Sequence, residues 1–350
     1  MFAKKNLVAA AALLALAGAA QAQVKLYGML DMSVGSFENA GGERVTAIES
    51  GKMMTSYFGL SGSEDLGGGL KAEFVLESFI GGDTGGNITN LAGGFWSRGS
   101  FVALSGGFGK VAVGQYDNPL FTYGYTYNPF GSSMAFSPTM RHYYGLYGVN
   151  AEPTAFALGV DTGFVNSVTY ETPNMGGFMA TLQFAPKESS ADGAENSYAA
   201  AVAYNAGPFS AALTYTKAGY TPANTAYLAD QKVWALGTSY DFGVVKAFAQ
   251  YTDVKTDGFF DGDLEAFVED ESKVKIWQLG VSVPLSDKAT VMASYGKAKD
   301  KTDDVSDKVF SLGYNYMLSK RTDVYGVFTN NQATGLQSGQ TFAVGVRHNF

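Results

Sequence analysis

Apolar and polar positions alternate along most of this chain with a period of two, the pattern of strands whose two faces meet different surroundings. The stretch Gln340 to Phe350, QTFAVGVRHNF, shows it best. Phe342, Val344, Val346, His348 and Phe350 fall on one side, and Thr341, Ala343, Gly345, Arg347 and Asn349 on the other. A strand of this kind needs a partner for its edge, because an open edge invites aggregation. Val24 to Ser33 alternates in the same way and is predicted to pair with it, closing the sheet into a barrel.

Between these ends the alternation recurs. Lys52 to Ser63 and Gly69 to Ile80 flank a short glycine-rich turn, and Phe95 to Ser105 joins Lys110 to Tyr116 through Gly106-Gly107-Phe108-Gly109. Further turns fall at Pro173 to Gly177, Gly207-Pro208, Gly243, Ser286 to Lys288 and Ser319 to Arg321. Longer polar connections alternate with these turns, as at Gly219 to Asp230 and Lys255 to Ser272. The pattern predicts about sixteen antiparallel strands of roughly ten residues, the length that spans a bilayer when tilted.

A soluble sandwich would carry the same alternation. The N-terminus argues for export: Lys4 and Lys5 precede the apolar run Leu7 to Ala17, and Ala20-Gln21-Ala22 has the small-x-small form of a cleavage site. We expect residues 1–22 to be a cleaved signal peptide and 23–350 a single barrel domain. The segment removes two lysines and no acids, so the formal charge of −8 becomes −10 in the mature chain. An acidic chain disfavours nucleic acid as a partner. With no cysteine, disulfides and thiolate metal or redox sites are excluded. Backbone groups in lipid must pair within the protein, so the sheet has to close, and a barrel this wide leaves a water-filled interior.

Several blocks carry a resemblance. They are Leu26 to Asp31, LYGMLD; Gly59 to Glu77, GLSGSEDLGGGLKAEFVLE; Arg98 to Gln115, RGSFVALSGGFGKVAVGQ; Asn166 to Phe178, NSVTYETPNMGGF; Leu236 to Phe242, LGTSYDF; Tyr316 to Thr322, YMLSKRT; and the closing VGVRHNF. Together and in this order the chain resembles the trimeric general porins of the Gram-negative outer membrane, in their beta-proteobacterial form. The resemblance implies a homotrimer in outer-membrane lipid and lipopolysaccharide, passing small hydrophilic solutes and ions by passive diffusion, with no cofactor and no catalysis. It also implies that the long connection after the fifth strand folds into the lumen.

That connection runs from about Asp117 to Gly163, a length uncommon for a loop without a function. Phe121, Tyr123, Tyr125, Tyr127 and Phe130 are interleaved there with glycine and asparagine. Two readings stand: the rings anchor the loop to the wall, or they line a constriction where amphipathic rings pass sugars or aromatic solutes. Relatives place arginines on the opposite wall, yet the corresponding positions here are Tyr57, Ser61 and Gly163. Arg98 remains, and Arg141 in the connection is a candidate eyelet charge. Lys25, Lys71 and Lys110 read as wall cations, against the acids Asp31, Glu73, Glu77, Asp117, Glu152 and Asp161. The balance predicts weak selectivity, toward cations or neutral solutes.

Other constellations carry less. Asp261-Gly262-Asp263-Leu264-Glu265, followed by Glu269, Asp270 and Glu271, offers oxygens to a divalent cation but lacks the order of a dedicated calcium loop. His142 and His348 have no serine and acid spacing that supports a triad. A plugged binding or adhesion barrel and a substrate-specific channel remain as rivals to a general pore.

Overall fold

The computed structural model describes residues 24–88, 94–144, 158, 161–190, 194–220, 229–261, 266–268 and 271–350. The expected signal peptide, Glu152 and most of the acidic stretch 261–271 lie outside the described residues. The first half of the chain forms β1 (Lys25–Phe37), β2 (Val45–Ser50), β3 (Tyr57–Gly67), β4 (Leu70–Gly81), β5 (Gly86–Ile88), β6 (Gly99–Gly106) and β7 (Gly109–Asp117). Two short helices follow, α1 (Pro119–Thr126) and α2 (Pro138–Tyr144). The sheet resumes with β8 (Gly163–Glu171), β9 (Phe178–Ala185), β10 (Ser197–Ala206), β11 (Phe209–Ala218), β12 (Ala229–Asp241) and β13 (Lys246–Asp261). It ends with β14 (Ala266–Val268), β15 (Ser272–Pro284), β16 (Ala289–Asp300), β17 (Ser306–Met317), β18 (Thr322–Ala333) and β19 (Gly339–Asn349).

All pairings are antiparallel, and β2, β5 and β14 are short extensions beside longer neighbours. The remaining sixteen strands form a closed barrel. Closure is made by β1 on β19, with Asp31 opposite Arg347 and Val34 opposite Val344. No long edge is left open, which is how a sheet survives in lipid.

Burial inverts that of a soluble sheet. Leu213, Trp234, Leu279 and Phe342 face outward and are exposed, while their chain neighbours Thr214, Val233, Gln278 and Thr341 are buried. The apolar face meets lipid and the polar face lies inside.

Two predicted strands begin later than the alternation suggested. The run from Lys52 enters the sheet only at Tyr57. Gly51 takes a left-handed conformation (φ 75°), and the Asp31 carboxylate accepts from the amides of Met53 and Met54, at 2.7 and 2.8 Å. One carboxylate offered to two successive N–H groups outcompetes the sheet ladder. The run from Phe95 joins at Gly99, because Phe95 and Trp96 pack on Phe58 instead, with ring centroids 6.2 and 5.8 Å away.

Candidate functional site

The long connection contains more local order than its sequence suggested. Asn118 caps α1 by accepting from the amide of Leu120 at 2.8 Å, and Pro119 occupies the first helical turn. Asparagine at the cap and proline just inside it are the signal that was there to be read. After α1, Asn128 ties the turn together. Its amide nitrogen donates to the carbonyls of Gly124 and Gly131, and its oxygen accepts from Phe130, at 2.9, 3.0 and 2.9 Å.

The connection then lies along the inward face of the second half of the sheet. Glycines clear the space for it. A Cβ on Gly237 would stand 2.2 Å from the Tyr127 ring, one on Gly280 2.6 Å from Pro129, one on Gly296 2.5 Å from Pro138, and one on Gly313 2.7 Å from Phe130. Polar side chains between these glycines satisfy the segment. Gln250 donates to the Gly124 carbonyl at 2.8 Å, and Gln278 accepts from the Thr139 amide at 2.7 Å. The Tyr143 hydroxyl bonds to Thr252. His142 Nε2 donates to Asp307 at 3.0 Å. Arg141 donates to Asn39 at 2.9 Å and to Asn331 at 3.4 Å. Between the two helices the segment reaches the Gly51–Ser56 excursion, where the Ser133 hydroxyl donates to the Lys52 carbonyl at 2.6 Å.

The aromatic candidates therefore divide. Tyr127 is 1% exposed, with its hydroxyl 2.9 Å from that of Ser210, and is an anchor. Phe130 is buried as well. Phe121, Tyr123 and Tyr125 are half-buried. Phe121 meets Tyr125 edge-on at 5.2 Å, and Tyr123 stacks on Tyr127 at 6.1 Å. Burial and the neighbouring Tyr127 push the Tyr123 hydroxyl up to about 12, and burial moves Tyr125 and Tyr127 in the same direction. These hydroxyls stay neutral at ordinary pH. Burial works against the charge of Arg141, while Asp307 supports it.

The wall of the first half looks different. Arg98 pairs with Glu77 and lies over the Tyr57 ring, 3.8 Å from its centroid. Tyr57 meets Tyr27 edge-on at 6.2 Å, and the Tyr27 hydroxyl donates to Glu77 at 2.5 Å. Lys110 sits 3.3 Å from Glu73 and over the rings of Phe101 and Tyr116. Tyr116 donates to Glu171 at 2.9 Å. Asp117 lies within electrostatic reach of Asp161 and of Arg98. Asp161 is buried and accepts from the Thr162 amide at 2.6 Å. Lys25 and Lys71 are exposed at the short-turn rim of β1 and β4. Asp31 is on the inward face but fully buried beneath Met53 and Met54, where Tyr325 also donates to it at 2.7 Å. It acts as a clasp rather than as a charge facing water.

So the structure brings together Tyr57, Glu73, Arg98, Lys110 and Asp117 on one wall, and sets Arg141 and Asp31 apart from them. Sequence reasoning missed Tyr27, Phe101, Tyr116 and Glu171 as members of that wall. Their parity, shared with Lys25, Lys110 and Thr169, was the available signal.

A barrel of this size with a charged inner wall matches a known family model, Gram-negative porin, over residues 9–336. The chain belongs to the Gram-negative porin family. It is similar to outer membrane porin protein 32 of Delftia acidovorans, with 34% identity covering 99% of this chain and all of that one. An outer membrane porin protein of Bordetella pertussis is 31% identical over the same shares. A solved structure described as the anion-selective porin from Comamonas acidovorans superposes with a TM-score of 0.76 at 30% identity, covering 94% of this chain and 100% of that one. The porin thus resides in the Gram-negative outer membrane, and its family is one of channels rather than enzymes.

Proposed function

We propose that this porin is a homotrimer of water-filled pores for small hydrophilic solutes and ions, each narrowed by the segment 118–144 and weakly selective for cations or neutral solutes. One observation carries the selectivity reading: among the described residues the wall cations Arg98, Lys110 and Arg347 each have their own acid. Arg98 pairs with Glu77, Lys110 with Glu73 and Arg347 with Asp323. Asp117 and Glu171 then add negative charge beside these pairs, and low-dielectric walls magnify the prevailing sign. The name of the Comamonas porin supports the opposite preference, which a wall with unpaired arginines would give.

Single-channel current under a potassium chloride gradient tests this. Reversal toward the potassium potential is the expected result, and reversal toward chloride would overturn it. Current steps grouped in threes support the trimer. Cleavage after residue 22, leaving one barrel domain, completes the proposal and is read directly from the mass of the mature chain.

A second reading, a channel selective for sugars or aromatic solutes, is favoured by the half-buried Phe121, Tyr123 and Tyr125 facing a wall that itself carries Tyr27, Tyr57, Phe101 and Tyr116. Saturable block of the current by such a solute would establish it, whereas a general pore shows none.

A further inference from the structure

The outward face of the barrel carries a band of lysines that the channel does not use. On neighbouring strands Lys217 stands directly opposite Lys232, Lys232 opposite Lys255, and Lys255 opposite Lys273. The band continues with Lys275 opposite Lys299 and Lys297 opposite Lys308. Like charges placed opposite one another across a sheet destabilise it. Here that arrangement spans β11 to β17 without a break.

A second row runs beside the first. Lys217, Lys232, Lys275, Lys297 and Lys308 each lie two residues from an outward ring, namely Tyr215, Trp234, Trp277, Tyr295 and Phe310. The rings are themselves in contact or register: Tyr215 with Trp234 at 4.7 Å, Trp277 with Tyr295 at 5.5 Å, and Tyr295 opposite Phe310. Two strand residues amount to roughly 7 Å. In every case the lysine is on the side of the long connections, which in outer-membrane barrels is the extracellular side. An aromatic girdle marks the membrane interface, so the lysines stand at the level of the outer-leaflet headgroups.

Among the described residues, protein acids compensate only part of this charge. Asp257 is shared by Lys232 and Lys255 at 2.6 and 2.5 Å, Asp253 is 3.8 Å from Lys275, and Glu195 and Asp304 pair with Lys217 and Lys299. Among the described residues, no acid pairs with Lys273, Lys297 or Lys308. The same level on β18, β19 and β1 presents Gln332, Gln340 and Ser36 instead. The band is therefore local, and it faces lipid by parity.

We propose that β11 to β17 form a docking strip for the phosphate groups of the outer-leaflet glycolipid, lipopolysaccharide, with the lysines holding phosphate and the ring row packing on the acyl chains below. The long lysine stems lie along the apolar surface and deliver the ammonium groups to the headgroup layer. Bound phosphate supplies the negative charge that the cross-strand lysines lack. This inference uses only the outer-membrane placement of the barrel and is independent of the ion selectivity proposed above.

The test uses the full refolded porin in detergent, with bisphosphorylated lipid A as the probe and native mass spectrometry as the readout. The triple variant Lys273→Gln, Lys297→Gln and Lys308→Gln is expected to bind on the order of a hundredfold more weakly, at about the strength that three surface lysines give toward anionic lipid. The matching arginine triple should bind as the parent does. Should the glutamine triple fail to fold, Lys273→Gln alone, at an exposed position, is expected to weaken binding by about fivefold. Dephosphorylated lipid A should bind poorly to the parent, and a chelator should leave bisphosphorylated binding intact. Equal binding by parent and glutamine variant, equal binding of the dephosphorylated lipid, or loss of binding on chelation would each overturn the proposal. Loss on chelation would assign the contact to bridging divalent cations on acidic loops.

Discussion

The two halves of the inner wall are built by opposite rules. From β12 to β17 the inward face mixes glycine, small hydroxyls and glutamine with buried Val233, Val254, Val274 and Ile276, and it is occupied by the protein's own chain. From β3 to β7 it carries ion pairs and rings, and among the described residues α1 and α2 pack mainly on β10 to β12 and β15 to β17 instead. A wall that meets protein has to remove bulk and satisfy backbone amides, whereas one that meets water can hold charge cheaply. The difference shows that the position of the inserted segment is encoded on the strands beneath it as much as in the segment itself.

The largest expected effect comes from removing the glycine clearance. Gly237→Val with Gly296→Val places side chains where Tyr127 and Pro138 now sit, at Cβ separations of 2.2 and 2.5 Å. Overpacking of this kind costs about 1–3 kcal/mol per site, enough to lift the segment from the wall without opening the sheet. Single-channel conductance should change severalfold, with increased open-channel noise. Unchanged conductance would mean that the segment lies outside the current path.

On the bare wall the expected effect is on sign rather than size. Arg98→Gln leaves Glu77 unpaired and should move the reversal potential further toward potassium, while Glu77→Gln leaves Arg98 unpaired and should move it toward chloride. Equal shifts in the same direction would refute the idea that this pair is balanced. A smaller effect belongs to the covered wall. Gln278→Ala orphans the Thr139 amide at a cost of about 1–3 kcal/mol, which should appear as faster current flicker with no shift in reversal potential.

Much of the barrel was legible in the sequence because the two-residue period is enforced by two different solvents on its two faces. Closure of β1 on β19, and the short turns, follow from it directly. The departures arise where a side chain competes with the ladder. Asp31 has the parity of a wall acid, but parity cannot reveal that Met53 and Met54 fold back to cover it. Tyr123 lies in α1 and Tyr127 caps its end four residues on, and sequence alone cannot say that one is an anchor and the other half-buried, since that depends on Gly237, more than a hundred residues away. Missing wall arginines were visible as substitutions. The pairing that neutralises Arg98 required the register of β3, β4 and β6 in space.

The weakest expected effect concerns the rings at the edge of the covered wall. Tyr123 has its hydroxyl raised to about 12, chiefly by burial, from an ordinary 10.0. Its proton is held more tightly in the folded barrel than in the unfolded chain, so its contribution to stability is full below about pH 10 and declines as pH rises through about 12. Between about pH 8 and pH 10 an ordinary tyrosine begins to ionise, and a phenolate beside the opening would strengthen cation preference. Tyr123 should not do so. The reversal potential of the parent is expected to stay level across that interval, and Tyr123→Phe should be indistinguishable from it there. A drift toward potassium in the parent that Tyr123→Phe abolishes would mean that this ring stands in open water, and that the boundary between the two walls lies beyond α1 rather than along it.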